Sequence, residues 1–321
     1  MKKNKLVLIM SITVVVLLIN ITLASCNDGI EVITPEMIKV PAGNFTMGQI
    51  LSNGLRLGFP VHKVTLTNNF EMGKYEVTNE EYVSVLNYAL ENDYLTGKYE
   101  NNDTVLNREG QQVLLIDLGA NYKGYKNAIS YNNEEGKFIV EKGKEKRPVV
   151  YVSWAGAAFY TNILSEVKGL EKLYNLEDWS STTYGKNGYR LPTEAEWEYT
   201  ARYDDGRTFP WGDEIDNSFI NFGLNIGHTT DVDSFPEGKS KLGLYNMIGN
   251  VQEWVNDWYE NYPEGEVENP TGPDDGVYKV KRGGTFYRHA NNFAFSAYRY
   301  DTNYIYTNWY DVGFRIVKIK K

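Results

Sequence analysis

After an apolar run near its start, the chain settles into short stretches whose periodicity changes every ten to fifteen residues. Met37 to Gly48 alternates apolar and polar positions around a Pro41-Ala42-Gly43 break, which predicts two short strands joined by a turn. Val61 to Leu66 alternates again, and Phe70 to Val77 predicts a further strand. Helical spacing is confined to three places. Thr78-Asn79-Glu80-Glu81 is a capping box, and behind it Tyr82, Val85, Leu86, Ala89 and Leu90 define one buried face. Ser153 can cap a second helix that runs to about Val167, where Gly169 supplies the stop. Thr193-Glu194-Ala195-Glu196 is another capping box, preceded by Pro192 and continued by Trp197, Tyr199 and Ala201. Between the first two helices, residues 92–146 are rich in Asn, Lys, Glu and Gly. This segment predicts an inserted β arm with strands at Gln112–Ile116 and Lys137–Val140, the second preceded by a turn at Asn132–Gly136. From Asp204 onward turn residues dominate and only short strands are expected.

The first residues change the picture of where such a domain works. Lys2, Lys3 and Lys5 precede an apolar stretch from Leu6 to Ile21, a signal-peptide pattern that is also just long enough to cross a bilayer uncleaved. Leu23-Ala24-Ser25-Cys26 then gives an apolar residue, two small residues and a cysteine, the arrangement of a lipoprotein cleavage site. The expectation is a signal peptide over 1–25, lipidation of Cys26, a tether over 26–36 and one domain over 37–319. That places the protein in a bacterial cell envelope, held to the membrane by its N-terminal lipid. Cys26 is the only cysteine of 321 residues, so no disulfide can form within the chain and the domain must rely on core burial, helped where present by a metal ion.

The formal net charge of −9 would repel nucleic acid, and that class of partner is excluded. Aromatic residues make up 14% of the chain, with 25 Tyr, 13 Phe and 7 Trp. Two explanations fit: large rings filling an irregular core, or a ligand surface of the kind that glycan-binding proteins present.

Seven motifs then follow in order. They are Val40-Pro41-Ala42-Gly43-Asn44-Phe45-Thr46-Met47-Gly48, Tyr75-Glu76-Val77-Thr78-Asn79-Glu80-Glu81-Tyr82, Pro148 to Trp154, Tyr189 to Tyr199, Gly243 to Trp254, Arg282-Gly283-Gly284-Thr285 and Val312-Gly313-Phe314-Arg315. Their succession resembles the signatures of the sulfatase-modifying-factor, or formylglycine-generating-enzyme, family, across nearly the whole chain after Cys26. The resemblance implies an α+β fold of the C-type-lectin-like kind, with little regular secondary structure and bound calcium. It also implies oxidation of a sulfatase cysteine by copper, held by two cysteines, and molecular oxygen. In this chain the positions matching those cysteines are Arg288 and Phe293. Neither a guanidinium nor a phenyl ring can ligate soft Cu(I), and Cys26 is far away at the tether, so copper is not expected. A second branch of the family resembles iron-dependent sulfoxide synthases with several clustered histidines. Here His62, His228 and His289 are scattered.

Calcium is a different matter. Asn246 to Glu253 offers a side-chain amide oxygen, backbone carbonyls at Gly249 and Val251, and a carboxylate, which suits a hard cation that takes six to eight oxygens. These four residues match one calcium site of the resembled family. The alternative is a glycine turn in which Asn246 and Glu253 satisfy backbone donors. A second family site is matched only in its first half, by Asn221 and Phe222, and stays open.

On the same resemblance a pocket is expected near Trp254, Tyr287, Arg288, His289 and Arg299. Arg288 offers a positive fork for a carboxylate, sulfate or phosphate, unless it pairs with an acid such as Asp301 or Asp311. His289 beside it is either part of that pocket or an ordinary loop histidine. No catalytic residue is assigned: there is no cysteine or histidine cluster and no Gly-x-Ser-x-Gly turn. The expectation is a non-catalytic binding or scaffold module, stabilised by calcium, for an envelope protein, peptide or glycan. The alternative is an oxidoreductase-type member of the family with an unrecognised reaction.

Overall fold

The computed structural model describes residues 30–50, 56–214, 216–287 and 299–319. Cys26 with its signal region, and Arg288, His289 and Phe293, lie outside the described residues.

The three helices begin where their caps place them. α1, Asn79–Glu91, starts at Thr78, whose hydroxyl accepts from the Glu81 amide while the Glu81 carboxylate accepts from the Thr78 amide. α2, Trp154–Val167, starts at Ser153, which accepts from the Gly156 amide. α3, Glu194–Arg202, repeats the reciprocal box with Thr193 and Glu196. Each cap satisfies amides that the first helical turn leaves without partners. All nine residues of α3 are buried, its glutamates included, so this helix has no solvent face.

Strands hold the helices together in small sheets. One sheet orders Met37–Val40, Phe70–Gly73, Val317–Lys318 and Tyr189–Arg190, so the start and the end of the domain share it. A second orders Arg299–Asn303, Lys279–Arg282, Gln252–Trp258 and Val312–Phe314, the last pair parallel. A third pairs Gly43–Ile50 with Arg56–Leu66, which in turn pairs in parallel with Glu266–Glu268. Phe70 to Val77, expected as one strand, is a strand only over Phe70–Gly73.

The insertion between α1 and α2 is mainly β, with Leu95–Gly97, Thr104–Asn107 and Leu114–Asp117 in one sheet, a single 3-10 turn at Tyr99–Asn101 and two hairpins after the sheet. Its Val105, Leu115, Ile116, Ile129 and Phe138 are buried in the same core as α1 and α2. Asn87 of α1 donates to the Phe138 carbonyl and accepts from the Phe138 amide, which ties the hairpin Ile129–Val140 to the helix. A second apolar core surrounds α3 and includes Phe45, Val64, Met72, Trp197, Met247 and Val280. Trp154, Trp179, Trp197 and Trp254 are fully buried, so core filling accounts for four of the seven tryptophans.

α2 lies so close to the insertion that one glycine is needed. A Cβ at Gly156 would stand 2.1 Å from the Leu115 carbonyl oxygen and 2.8 Å from its carbon. Both are backbone atoms that cannot turn away, and overpacking of that kind costs about 1–3 kcal/mol. Gly156→Ala is therefore expected to lower the thermal midpoint despite alanine's better helix propensity; an unchanged or raised midpoint would contradict this packing.

Candidate functional site

The inward-facing glutamates of α3 organise a buried ionic network. Glu196 accepts two parallel bonds from Arg190, both at 2.7 Å. Glu198 accepts from Arg202 and Arg282, each at 2.7 Å, and from the Gly48 amide at 2.8 Å. Glu194 accepts from Arg282 at 2.8 Å, from Arg299 at 2.8 and 2.6 Å and from the Tyr262 hydroxyl at 3.0 Å. Burial works to raise the Glu198 carboxyl, but Arg282 and Arg202 overcome it and hold it below the usual carboxylate range. The network fixes α3 against the strand Lys279–Arg282 and the loop that carries Tyr262.

Beside it opens a cavity of about 680 Å³, bounded by His62, Glu194, Asp257, Trp258, Tyr262, Arg299 and a strap from Val267 to Pro273. Asp257 accepts from the Glu194 amide through Oδ2 at 2.8 Å. Burial, then the charge of Glu194, push its carboxyl up to about 7, against the Glu194 amide, Lys279 and Arg299. Lys279 is buried nearby, with Nζ 4.0 Å from the ring centre of Trp154 and 3.8 Å from that of Trp258, donating to the Asn256 carbonyl. Burial pushes this amine well below the lysine range.

The loop from Asn246 to Glu253 can be tested against calcium. Asn246, Gly249 and Asn250 all have positive φ, at 49°, 82° and 55°. Glu76 holds the loop from beneath: its two carboxylate oxygens accept from the side-chain amides of Asn246 at 2.9 Å and Asn250 at 3.0 Å. With its nitrogen so engaged, Asn246 keeps Oδ1 clear; among the described residues no donor reaches it or the carbonyls of Gly249 and Val251. Gly283 closes the cradle. A Cβ there would stand 3.2 Å from the Met247 carbonyl oxygen and 3.7 Å from that of Val251. Three of the four expected oxygens are thus left without a donor among the described residues, as ligands of a hard cation would need to be. Glu253 fits less well, because Arg315 binds both its oxygens, at 2.6 and 2.7 Å, and Trp197 donates to one of them. At the second site, Asn221 donates to the His228 carbonyl and to Asn250 while its buried Oδ1 has no partner among the described residues.

Residues 27–320 match the model of the sulfatase-modifying factor enzyme 1-like domain. The chain belongs to the sulfatase-modifying factor family. It is 30% identical to the formylglycine-generating enzyme of Streptomyces coelicolor over 282 residues, covering 80% of each protein. It is 33% identical over 276 residues to the serine/threonine-protein kinase pkn1 of Chlamydia pneumoniae, covering 81% of this chain and 36% of that protein. The chain therefore spans about a third of the length of that chlamydial relative. Treponema denticola variable protein 1 superposes with a TM-score of 0.63 at 23% identity, covering 88% of this chain and 95% of that one. PvdO from Pseudomonas aeruginosa superposes with a TM-score of 0.61 at 22% identity, covering 89% and 95%. At these identities the two structures show the shared fold and nothing more.

Within this sulfatase-modifying factor domain, the described residues among those expected to form one pocket, Trp254, Tyr287 and Arg299, are dispersed. Trp254 is not a wall residue: it is fully buried, and its Nε1 donates to the Val152 carbonyl at 3.1 Å. Tyr287 joins an aromatic cluster with Tyr125, Phe286 and Tyr310. Arg299 borders the large cavity, its guanidinium over the rings of Tyr259 and Tyr262. Asp257 and Lys279 carry no local signal of their burial: Lys279 is covered by Trp154 and Trp258 from other elements, and Asp257 is capped by the Glu194 amide.

Proposed function

We propose that this protein is a lipid-anchored binding or scaffold module of a bacterial cell envelope, with a sulfatase-modifying factor domain stabilised by calcium. The observation that carries this reading is the thiol count. The family's copper chemistry needs two thiolates, and this chain has one cysteine, Cys26, placed where a lipoprotein signal ends. Arg288 and Phe293 stand at the matching positions. Without a pair of soft ligands the domain keeps the family's scaffold for holding an envelope protein, peptide or glycan. Calcium is supported by the unclaimed oxygens of Asn246, Gly249 and Val251 and by the Gly283 cradle. Its contribution would be structural, cross-linking the loop that enters the strand Gln252–Trp258.

Metal analysis of the purified protein is expected to find calcium in near-stoichiometric amount and no copper. Removing it with a chelator should lower the thermal midpoint by several degrees, since a ligand at a hundred times its Kd adds about 2.7 kcal/mol. That calcium-dependent increment should vanish in Asn246→Ala. Tightly bound copper that supports oxygen consumption with a cysteine peptide would overturn the non-catalytic reading. A midpoint indifferent to calcium would overturn the metal assignment.

A further inference from the structure

A second cavity, of about 320 Å³, lies on the side of the domain where the insertion meets the α1 N-terminus. Its charge is the reverse of the protein's. Lys126, Lys144, Arg147 and His228 line it, and no carboxylate does so among the described residues. In a chain of net charge −9 this is a local inversion of sign.

Arg147 is the unusual member. Arg108, Arg190, Arg202, Arg207, Arg282, Arg299 and Arg315 each form an ion pair with an aspartate or glutamate. Among the arginines whose side chains are described, Arg147 alone has no carboxylate partner. Its Nη1 lies 3.5 Å from Nδ1 of His228, and its buried Nε has no partner among the described residues. The backbone around it is fixed, with the Asn79 amide donating to the Arg147 carbonyl and the Arg147 amide to that of Lys144. A guanidinium is a rigid five-donor fork that stays charged at any physiological pH, and it is shaped for a planar or tetrahedral oxyanion. Lys126, which also lacks a carboxylate partner among the described residues, adds a second positive charge to the same cavity.

The cavity also has an aromatic lining. The Tyr310 ring lies between those of Tyr122 and Tyr125, with centroids 4.8 and 5.2 Å away and both pairs 14° from parallel. Tyr125 and Tyr310 reach the cavity. A ligand that uses both the basic and the aromatic lining needs an oxyanion for Arg147 and a compact face with C–H groups for the tyrosines. The volume admits a single ring. We infer that this cavity binds an acidic monosaccharide unit, its carboxylate or sulfate held by Arg147 and Lys126 and its ring against Tyr125 and Tyr310. This deepens the binding-module reading and rests on it, by naming the class of glycan.

The test is calorimetric titration of the full detergent-solubilised chain with glucuronate, glucose 6-sulfate, glucose and inorganic sulfate. One of the two acidic sugars is expected to bind at least about tenfold more tightly than glucose or inorganic sulfate, and which one it is separates carboxylate from sulfate recognition. Arg147→Gln should weaken that binding at least about tenfold, and Lys126→Gln by less, each at an unchanged thermal midpoint. Arg207→Gln, whose Asp205 pair lies elsewhere, should leave binding as it was. Equal affinity for glucose and the acidic sugars, or acidic-sugar binding unchanged in both Arg147→Gln and Lys126→Gln, would overturn the inference. Inorganic sulfate binding as tightly as the sugars would overturn the sugar assignment. Oxygen consumption by a metal-loaded protein would sink the non-catalytic reading alone, leaving Arg147-dependent binding in place.

Discussion

Glu198→Gln is expected to destabilise the domain by about 3–5 kcal/mol, and by more than Arg282→Met, although the first change keeps the side chain's shape and the second does not. The reason is the balance of charge around α3. Arg202, Arg282 and Arg299 share Glu194 and Glu198, so the network holds one more guanidinium than carboxylate. Removing Arg282 leaves Glu198 with Arg202 and Glu194 with Arg299, two neutral pairs. Removing the charge of Glu198 leaves three guanidinium groups around one carboxylate. A glutamine there could still accept through one oxygen, but its nitrogen would point donors at Arg202 or at Arg282, whose guanidinium groups have no acceptor to offer. Urea unfolding of the two variants measures the contrast. A loss for Arg282→Met equal to or larger than that for Glu198→Gln would mean that the arginine matters for its packing over Trp197, 5.0 Å from the ring centre, and not for charge.

The same network marks the boundary of what the chain reveals when read linearly. Thr78, Ser153 and Thr193 locate the three helix starts because capping is decided by residues within three positions of one another. The strand Lys137–Val140 falls where its alternation and the preceding turn predict it. The family is legible as well, because its motifs are contiguous words. The direction in which a charged side chain points is not. Glu194, Glu196 and Glu198 sit on a short helix where an amphipathic pattern would turn glutamates to solvent, and Arg190, Arg282 and Arg299 from outside the helix, with Arg202 at its end, make their burial tolerable. Trp254 fails as a pocket residue for a related reason. A tryptophan in a family motif beside expected ligands can belong to the core, and its indole is satisfied by the carbonyl of Val152, a hundred residues earlier. The unpaired state of Arg147 is equally invisible in sequence, being a statement about which acids fail to come near.

Asp257→Asn is expected to stabilise the protein above neutral pH and to remove a fall in stability that the natural chain shows on the way there. Burial raises the Asp257 carboxyl from 3.8 to about 7 in the folded state, so folding favours the protonated form. The stabilisation this provides is complete below the unfolded value near pH 4 and is lost as pH rises through about 7. At about 1.36 kcal/mol for each pH unit of displacement, the loss amounts to as much as about 4 kcal/mol. Asparagine has no proton to lose. Its oxygen can accept from the Glu194 amide as Oδ2 of Asp257 does, so the variant should be close to the natural protein at pH 4.5 and more stable than it at pH 8. Glu76 and Glu81, each also pushed by burial up to about 7, contribute a slope of the same sign to both proteins, so the difference between the two curves reports Asp257 together with the Lys279 amine its charge supports. Unfolding free energies measured from pH 4 to pH 8 decide the matter. Parallel curves would mean that Lys279 and Arg299 keep the carboxylate charged, and the cavity would then present a permanent anion at neutral pH. A difference that grows with pH and levels off near pH 8 means that the cavity wall gains its negative charge around neutrality. A cationic ligand would then bind more weakly below pH 7, whereas the Arg147 cavity, with no carboxylate in its lining, would not follow that trend.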